Sequence, residues 1–244
     1  MRVIVLAALW ATLAAVVLGY SAHREARLLR LDSGAIVLGS APAELARALG
    51  RPLFETRCAG CHGARGRGDP GRGIPDMTDA DWLYGSGSVG DIEQIVRYGI
   101  RSHHPKSWDL AFMPAYATPH PSARDPRIEP LTPGDIRDVV ERLMQLQGSP
   151  SDAASAARGA LIFLGRGACY DCHAADAKGD PAIGAPNLTD RITLYGDGSR
   201  ESLRRSIAGG RHGMCPAWEG RLSAAAIREV SIFVYSLSHG GAAP

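Results

Sequence analysis

A five-residue pattern, Cys-x-x-Cys-His, occurs twice in this 244-residue chain and constrains it more than any other feature. It reads Cys58-Ala59-Gly60-Cys61-His62 and, 111 residues later, Cys169-Tyr170-Asp171-Cys172-His173. C-x-x-C-H is the attachment signature of haem c. The two thiols add to the porphyrin vinyl groups, and the histidine supplies the proximal nitrogen to iron. The spacing lets one helical turn present all three groups to one edge of the macrocycle. The rival readings fall short. A zinc site needs four ligands, and a redox dithiol wants a βαβ context that this sequence lacks. Five cysteines is an odd number, which excludes a framework of disulfides alone.

The repeat extends well beyond the cysteines. Ile74-Pro75-Asp76-Met77-Thr78-Asp79 returns as Ala185-Pro186-Asn187-Leu188-Thr189-Asp190, and Leu83-Tyr84-Gly85 as Leu194-Tyr195-Gly196, all at the offset of 111. The register then slips to 102, where Met113-Pro114-Ala115-Tyr116 corresponds to Cys215-Pro216-Ala217-Trp218. The first copy therefore carries nine extra residues around His103 to Leu110. Two long copies make a duplicated domain, not a solenoid. The expected organisation is a membrane anchor or signal peptide over 1–22, a tether and first helix over 23–50, one domain over 51–148, a Ser/Pro-rich linker over 149–156, and a second domain over 157–244.

Helical spacing recurs in both copies: Ile136, Val139, Val140, Leu143 and Leu146 in the first, Ile227, Val230, Val234 and Leu237 in the second. Ala41 to Leu49 reads as a further helix that Gly50 would end. No run alternates with period two over enough residues to argue for a sheet. The expected fold class is all-α: two tandem haem domains preceded by an N-terminal transmembrane helix. Only 6% of the chain is aromatic, so covalent haem would also serve as core filler. With 27 basic against 25 acidic side chains, nothing suggests a nucleic-acid partner.

An uncharged run covers Val3 to Tyr20. Its length suits a membrane-spanning helix, which needs about 17–25 apolar residues. A cleaved signal peptide, with Gly19-Tyr20-Ser21 at its end, is the rival. Either carries the following domains out of the cytoplasm.

Each iron needs a sixth ligand. Met113, 51 residues after His62, fits that role, with Met77 the weaker alternative. For the second iron the repeat aligns Cys215, while Met214 and His212 stand one and three residues earlier. A thiolate would lower the potential relative to a Met ligand. All three remain open. Arg101 and Arg211 are candidate partners of haem propionates, or else solvated surface residues. Trp82, Tyr84, Tyr195 and Trp218 read as packing residues, and His103-His104 as a solvated pair in the extra loop.

The segments Asp79-Ala80-Asp81-Trp82-Leu83-Tyr84-Gly85, Tyr98-Gly99-Ile100-Arg101, Met113-Pro114-Ala115 and Ala185-Pro186-Asn187-Leu188-Thr189-Asp190 resemble those of the dihaem subunit III of cbb3-type cytochrome c oxidases. Gly210-Arg211 before Pro216-Ala217-Trp218, and the ending Val234-Tyr235-Ser236-Leu237-Ser238, point the same way. The resemblance covers about residues 50–240. It implies two covalently attached haem c groups in cytochrome c domains that face the periplasm from the bacterial inner membrane. His62 and Met113 would ligate the first iron and His173 the second, with Cys215 standing where the family has Met. The subunit would take electrons from a soluble cytochrome c or similar donor. It would pass them to a monohaem subunit and a haem–copper subunit, without itself reducing oxygen. The competing class is an independent tethered dihaem shuttle, or a small oxidoreductase of the thiosulfate-dehydrogenase kind with a His/Cys haem.

Overall fold

The structure is a computed structural model and describes residues 2–126 and 128–240, with side chains from residue 9 onward except 35. It is helical. Among the described residues there is no strand, only isolated bridges.

Helix α1 spans Arg2–Arg30. From Leu9 to Tyr20 it stands clear of the body, with Leu9, Trp10, Leu13, Val16, Val17, Leu18 and Tyr20 all exposed. Its last turns dock: Leu28 is buried, and Arg24 pairs with Glu229 at 3.3 Å. Much of the stretch expected as a tether is therefore helix. Among the described residues no helix is long and apolar enough to cross a membrane. The expected span opens on residues 3–8, whose side chains lie outside the described set.

Helix α2, Ala41–Arg57, carries Pro at its start, where a missing N–H costs nothing. It does not end at Gly50. That glycine lies inside the helix at a crossing, where a Cβ would sit 2.1 Å from the Glu229 carbonyl oxygen. The helix continues past Pro52, held by the fully buried Phe54. The one-turn helix α3, Ala59–His62, carries the first motif. Helix α4, Val89–Tyr98, starts on Ser88, whose hydroxyl accepts from the Asp91 N–H. Helix α5, Pro133–Leu146, starts on a Thr132/Asp135 capping box. Helix α6, Ala153–Leu164, starts on Asp152, so the expected linker shortens to a few residues. The one-turn helix α7, Tyr170–His173, carries the second motif. Helices α8, Arg200–Gly209, and α9, Ala224–His239, complete the chain, capped by Ser199 and Ser223.

Helix packing departs from the two expected domains. α2 packs on α9, and α9 on α4, whereas α5 packs on α6 and α8. Each copy is closed by the terminal helix of the other. The physical reason is the short connection from α5 to α6, which favours antiparallel neighbours, as in any αα-hairpin. The first unit therefore joins residues 24–100 to 215–240, and the second is the segment between. The chain crosses from one unit to the other twice, and the crossings pair: Ile100 bridges Cys215, and Met113 bridges Arg211. One core gathers Phe54, Ile92, Val230, Phe233 and Val234. The other gathers Ile136, Val139, Val140, Leu143, Ile162, Phe163 and Ile207. The glycine device recurs, since a Cβ at Gly159 on α6 would lie 2.0 Å from the Asp138 carbonyl oxygen on α5.

The units meet about a pseudo-twofold axis. The Gly85 N–H donates to the Pro181 carbonyl and the Gly196 N–H to the Pro70 carbonyl. The Tyr195 ring lies over Gly73 and the Tyr84 ring over Gly184, where no Cβ would fit. These partners are related by the sequence offset itself.

Candidate haem-binding sites

Each motif sits on a single helical turn, closed by hydrogen bonds from the His62 N–H to the Cys58 carbonyl, 3.0 Å, and from the His173 N–H to the Cys169 carbonyl, 2.9 Å. The following loop folds alike in both units. Met77 N–H donates to Gly66 and Leu188 N–H to Ala177, each at 2.8 Å. Burial pushes the Cys58 and Cys169 thiols up to about 11.

The histidines show how the imidazoles are aimed. His173 Nδ1 lies 3.0 Å from the Pro186 carbonyl, which fixes it as the N–H and leaves Nε2 free to coordinate. Burial lowers the pKa of both His62 and His173, keeping them neutral as an iron ligand requires. His62 faces the Pro75 carbonyl, the counterpart of Pro186, and the buried Trp82 Nε1 has no hydrogen-bond partner. Buried polar groups are ordinarily satisfied. One orphan donor beside the first motif, with the thiol–thiol–imidazole donor set, fits a site built around a group that carries polar atoms.

Among the sixth-ligand candidates, Met113 packs in the second core with Cys169, Ala177 and Leu188, not beside Cys58. Cys215 lies on the other crossing. Its burial pushes the thiol up to about 12, with the nearby Cys58 and Cys61 adding to the shift. The exchange thus brings Cys215 to the first motif and Met113 to the second, the reverse of the pairing implied by the resemblance. Sequence order alone hides this, because Met113 follows His62 and precedes Cys169. Met214 is 70% exposed. His212 is exposed and meets the Phe112 ring edge-on at 5.9 Å. Met77 packs in the first core with Cys58 and Trp82, and its counterpart is Leu188.

Other expected residues are engaged within the protein. Tyr84 and Trp218 are buried. Arg211 lies 4.3 Å over the Tyr195 ring and donates to Ser206. His104 stacks on Tyr98 and pairs with Glu219 at 3.1 Å, so half of the histidine pair anchors the extra loop. Arg101 braces three segments. Sequence reasoning missed the helix exchange and this brace; the short α5–α6 connection was the available signal for the first.

The cytochrome c family model matches residues 48–147. Curated relatives extend the likeness across both motifs. The cbb3-type cytochrome c oxidase subunit FixP of Bradyrhizobium sp. strain ORS 278 is 40% identical over 200 residues, covering 80% of this chain and 62% of that protein. The cbb3-type cytochrome c oxidase subunit CcoP of Rhodobacter capsulatus is 38% identical over 224 residues, covering 88% of this chain and 70% of the relative. The chain thus spans about two thirds of the length of these relatives. With its repeated attachment motifs in helical units and this extent of identity, the chain belongs to the FixP/CcoP family of cbb3-type cytochrome c oxidase subunits.

Proposed function

We propose that the chain is a membrane-anchored dihaem c-type cytochrome that carries electrons from a periplasmic donor to the haem–copper core of a cbb3-type oxidase. The observation that carries the reading is the pair of attachment turns in two like units of a chain whose relatives are named as subunits of that oxidase.

Cys58, Cys61 and His62 would hold one haem and Cys169, Cys172 and His173 the other. When bound, each haem passes one electron at a time by cycling between ferric and ferrous iron. The protein's part is to bind, shield and tune. The Pro186 carbonyl orients His173 through Nδ1. Cys215 would serve as sixth ligand to the first iron and Met113 to the second, which favours a lower potential at the first. With a sixth ligand at each iron, neither site offers an open position for substrate, so the chain carries electrons and does not itself reduce oxygen. The competing shuttle or thiosulfate-oxidising class draws its support from Cys215 alone.

The uncharged run Val3–Tyr20 and the exposed apolar length of α1 support an N-terminal anchor that leaves both units in the periplasm. A soluble cytochrome c or similar donor, a monohaem subunit and a haem–copper subunit are the partners this reading calls for. Mild-detergent purification of the tagged chain from its native membrane tests it. Recovery with a haem–copper subunit and cyanide-sensitive oxygen uptake is the expected result. Recovery alone, with no oxygen uptake or with steady thiosulfate oxidation, overturns the oxidase reading.

A further inference from the structure

We propose that Arg101 is a positioning residue that holds both sixth-ligand segments at once, so that one guanidinium couples the coordination of the two irons. The inference rests on the ligand reading above, in which Cys215 faces the first iron and Met113 the second.

Three hydrogen bonds carry it. Arg101 Nε donates to the Gly213 carbonyl at 2.6 Å, Nη1 to the Ala111 carbonyl at 2.8 Å, and Nη2 to the Tyr84 hydroxyl at 2.7 Å. Gly213 stands two residues before Cys215, and Ala111 two residues before Met113. The third bond ties the brace to the ring that lies over Gly184 of the second unit. A planar fork suits three acceptors in fixed directions, which a lysine ammonium on a flexible stem does not reproduce.

The backbone here is built around the same residue. Arg101 has φ of 47°, a region that non-glycine residues rarely adopt and that persists only where the surroundings enforce it. The enforcing contacts are the Ile100–Cys215 bridge on one side and the Arg101 N–H to the Trp108 carbonyl, 3.2 Å, on the other. The twofold-related position holds His212, which is exposed and meets the Phe112 ring. Among the described residues the brace is therefore single, not one of a symmetric pair. Three of its five N–H donors are committed to protein oxygens, which holds Arg101 against both ligand loops.

Electron paramagnetic resonance of the oxidised dihaem protein tests this. The unaltered protein is expected to show two distinct low-spin ferric signals, one of the thiolate type. Met113→Ala should convert one to high spin and Cys215→Ala the other. Arg101→Gln should diminish both signals together, with high-spin iron rising at each site. Arg101→Lys should do the same although it keeps the charge, and it carries the test if the Gln variant does not accumulate. Loss of only one signal, loss of neither, or full rescue by lysine overturns the brace. If Met113→Ala or Cys215→Ala leaves both signals intact, the ligand reading is what has failed.

Discussion

In the first unit the acid sits on α4 and the base on the closing helix: Glu93 meets Arg228, both about 10% exposed. In the second, the base sits on α8 and the acid on the closing helix: Arg200 meets Glu141 at 2.6 Å. The same two helices are joined in both, at different positions along them and with the charges reversed. The repeat register shows what this achieves. If α9 closed the second unit, Arg228 would face Arg204, the counterpart of Glu93. If α5 closed the first, Arg137 would replace Arg228 at Glu93, but Glu141 would face Val89, the counterpart of Arg200. Either alternative is destabilising, the first by setting two arginines against each other and the second by taking Arg200 from Glu141. The reversed charges therefore favour the exchanged arrangement, and the short α5–α6 connection makes it geometrically easy.

The two pairs also differ in depth. Arg228 bonds the Leu31 carbonyl as well as Glu93, tying α9 to the foot of α1. Arg200 is 50% exposed, and Glu141 keeps a second bond from the Asp152 N–H. Arg228→Ala is expected to destabilise by about 3 kcal/mol, the low end for a broken buried pair, because Arg97 still faces Glu93 at 2.7 Å. Arg200→Ala should cost only about 1 kcal/mol. Denaturant unfolding of both variants checks the order; equal costs would remove the asymmetry between the units.

A smaller contrast lies at the starts of the closing helices. On α5, the Thr132 hydroxyl and then Arg166 hold the Asp135 carboxyl at about 2, below its ordinary 3.8. On α9 the matching position is Ala226, which cannot titrate. A depressed carboxylate pKa gives stability that is full above the ordinary value and fades as pH falls toward the folded one. The cap on α5 should thus weaken between about pH 5 and 2, by about 1 kcal/mol, and that on α9 should not. Thermal melts of the protein and of Asp135→Asn across that range should converge at the acid end. Parallel curves would show that the cap carries no pH dependence.

Much of this architecture could be read from residues alone. The two attachment turns, the helical spacing of α5 and α9 and the lack of strands all follow from local pattern, because covalent chemistry and helix periodicity are local. The partners of each helix were not legible. Two similar copies offer two nearly equivalent ways to pack their closing helices, and hydrophobic spacing is the same in both. What separates them is charge at single positions, Glu93 against Arg204 and Val89 against Arg200, which periodicity does not register. Cys215 and Met214 are also hard to tell apart in sequence, where a one-residue slip is invisible; in the structure Met214 is exposed and Cys215 half-buried. Gly50 misled because glycine both ends helices and lets them cross closely.

The central claim is that each unit is closed by the helix of the other copy. Hydrogen exchange followed by mass spectrometry on the full-length haem protein tests it most directly, using Val230→Ala in α9. Val230 is almost fully buried beside Phe54 and Phe233. The account predicts faster exchange in α2, residues 41–57, with α6, residues 153–164, unchanged. Faster exchange in α6 with α2 still protected would contradict it, since α9 would then close its own copy.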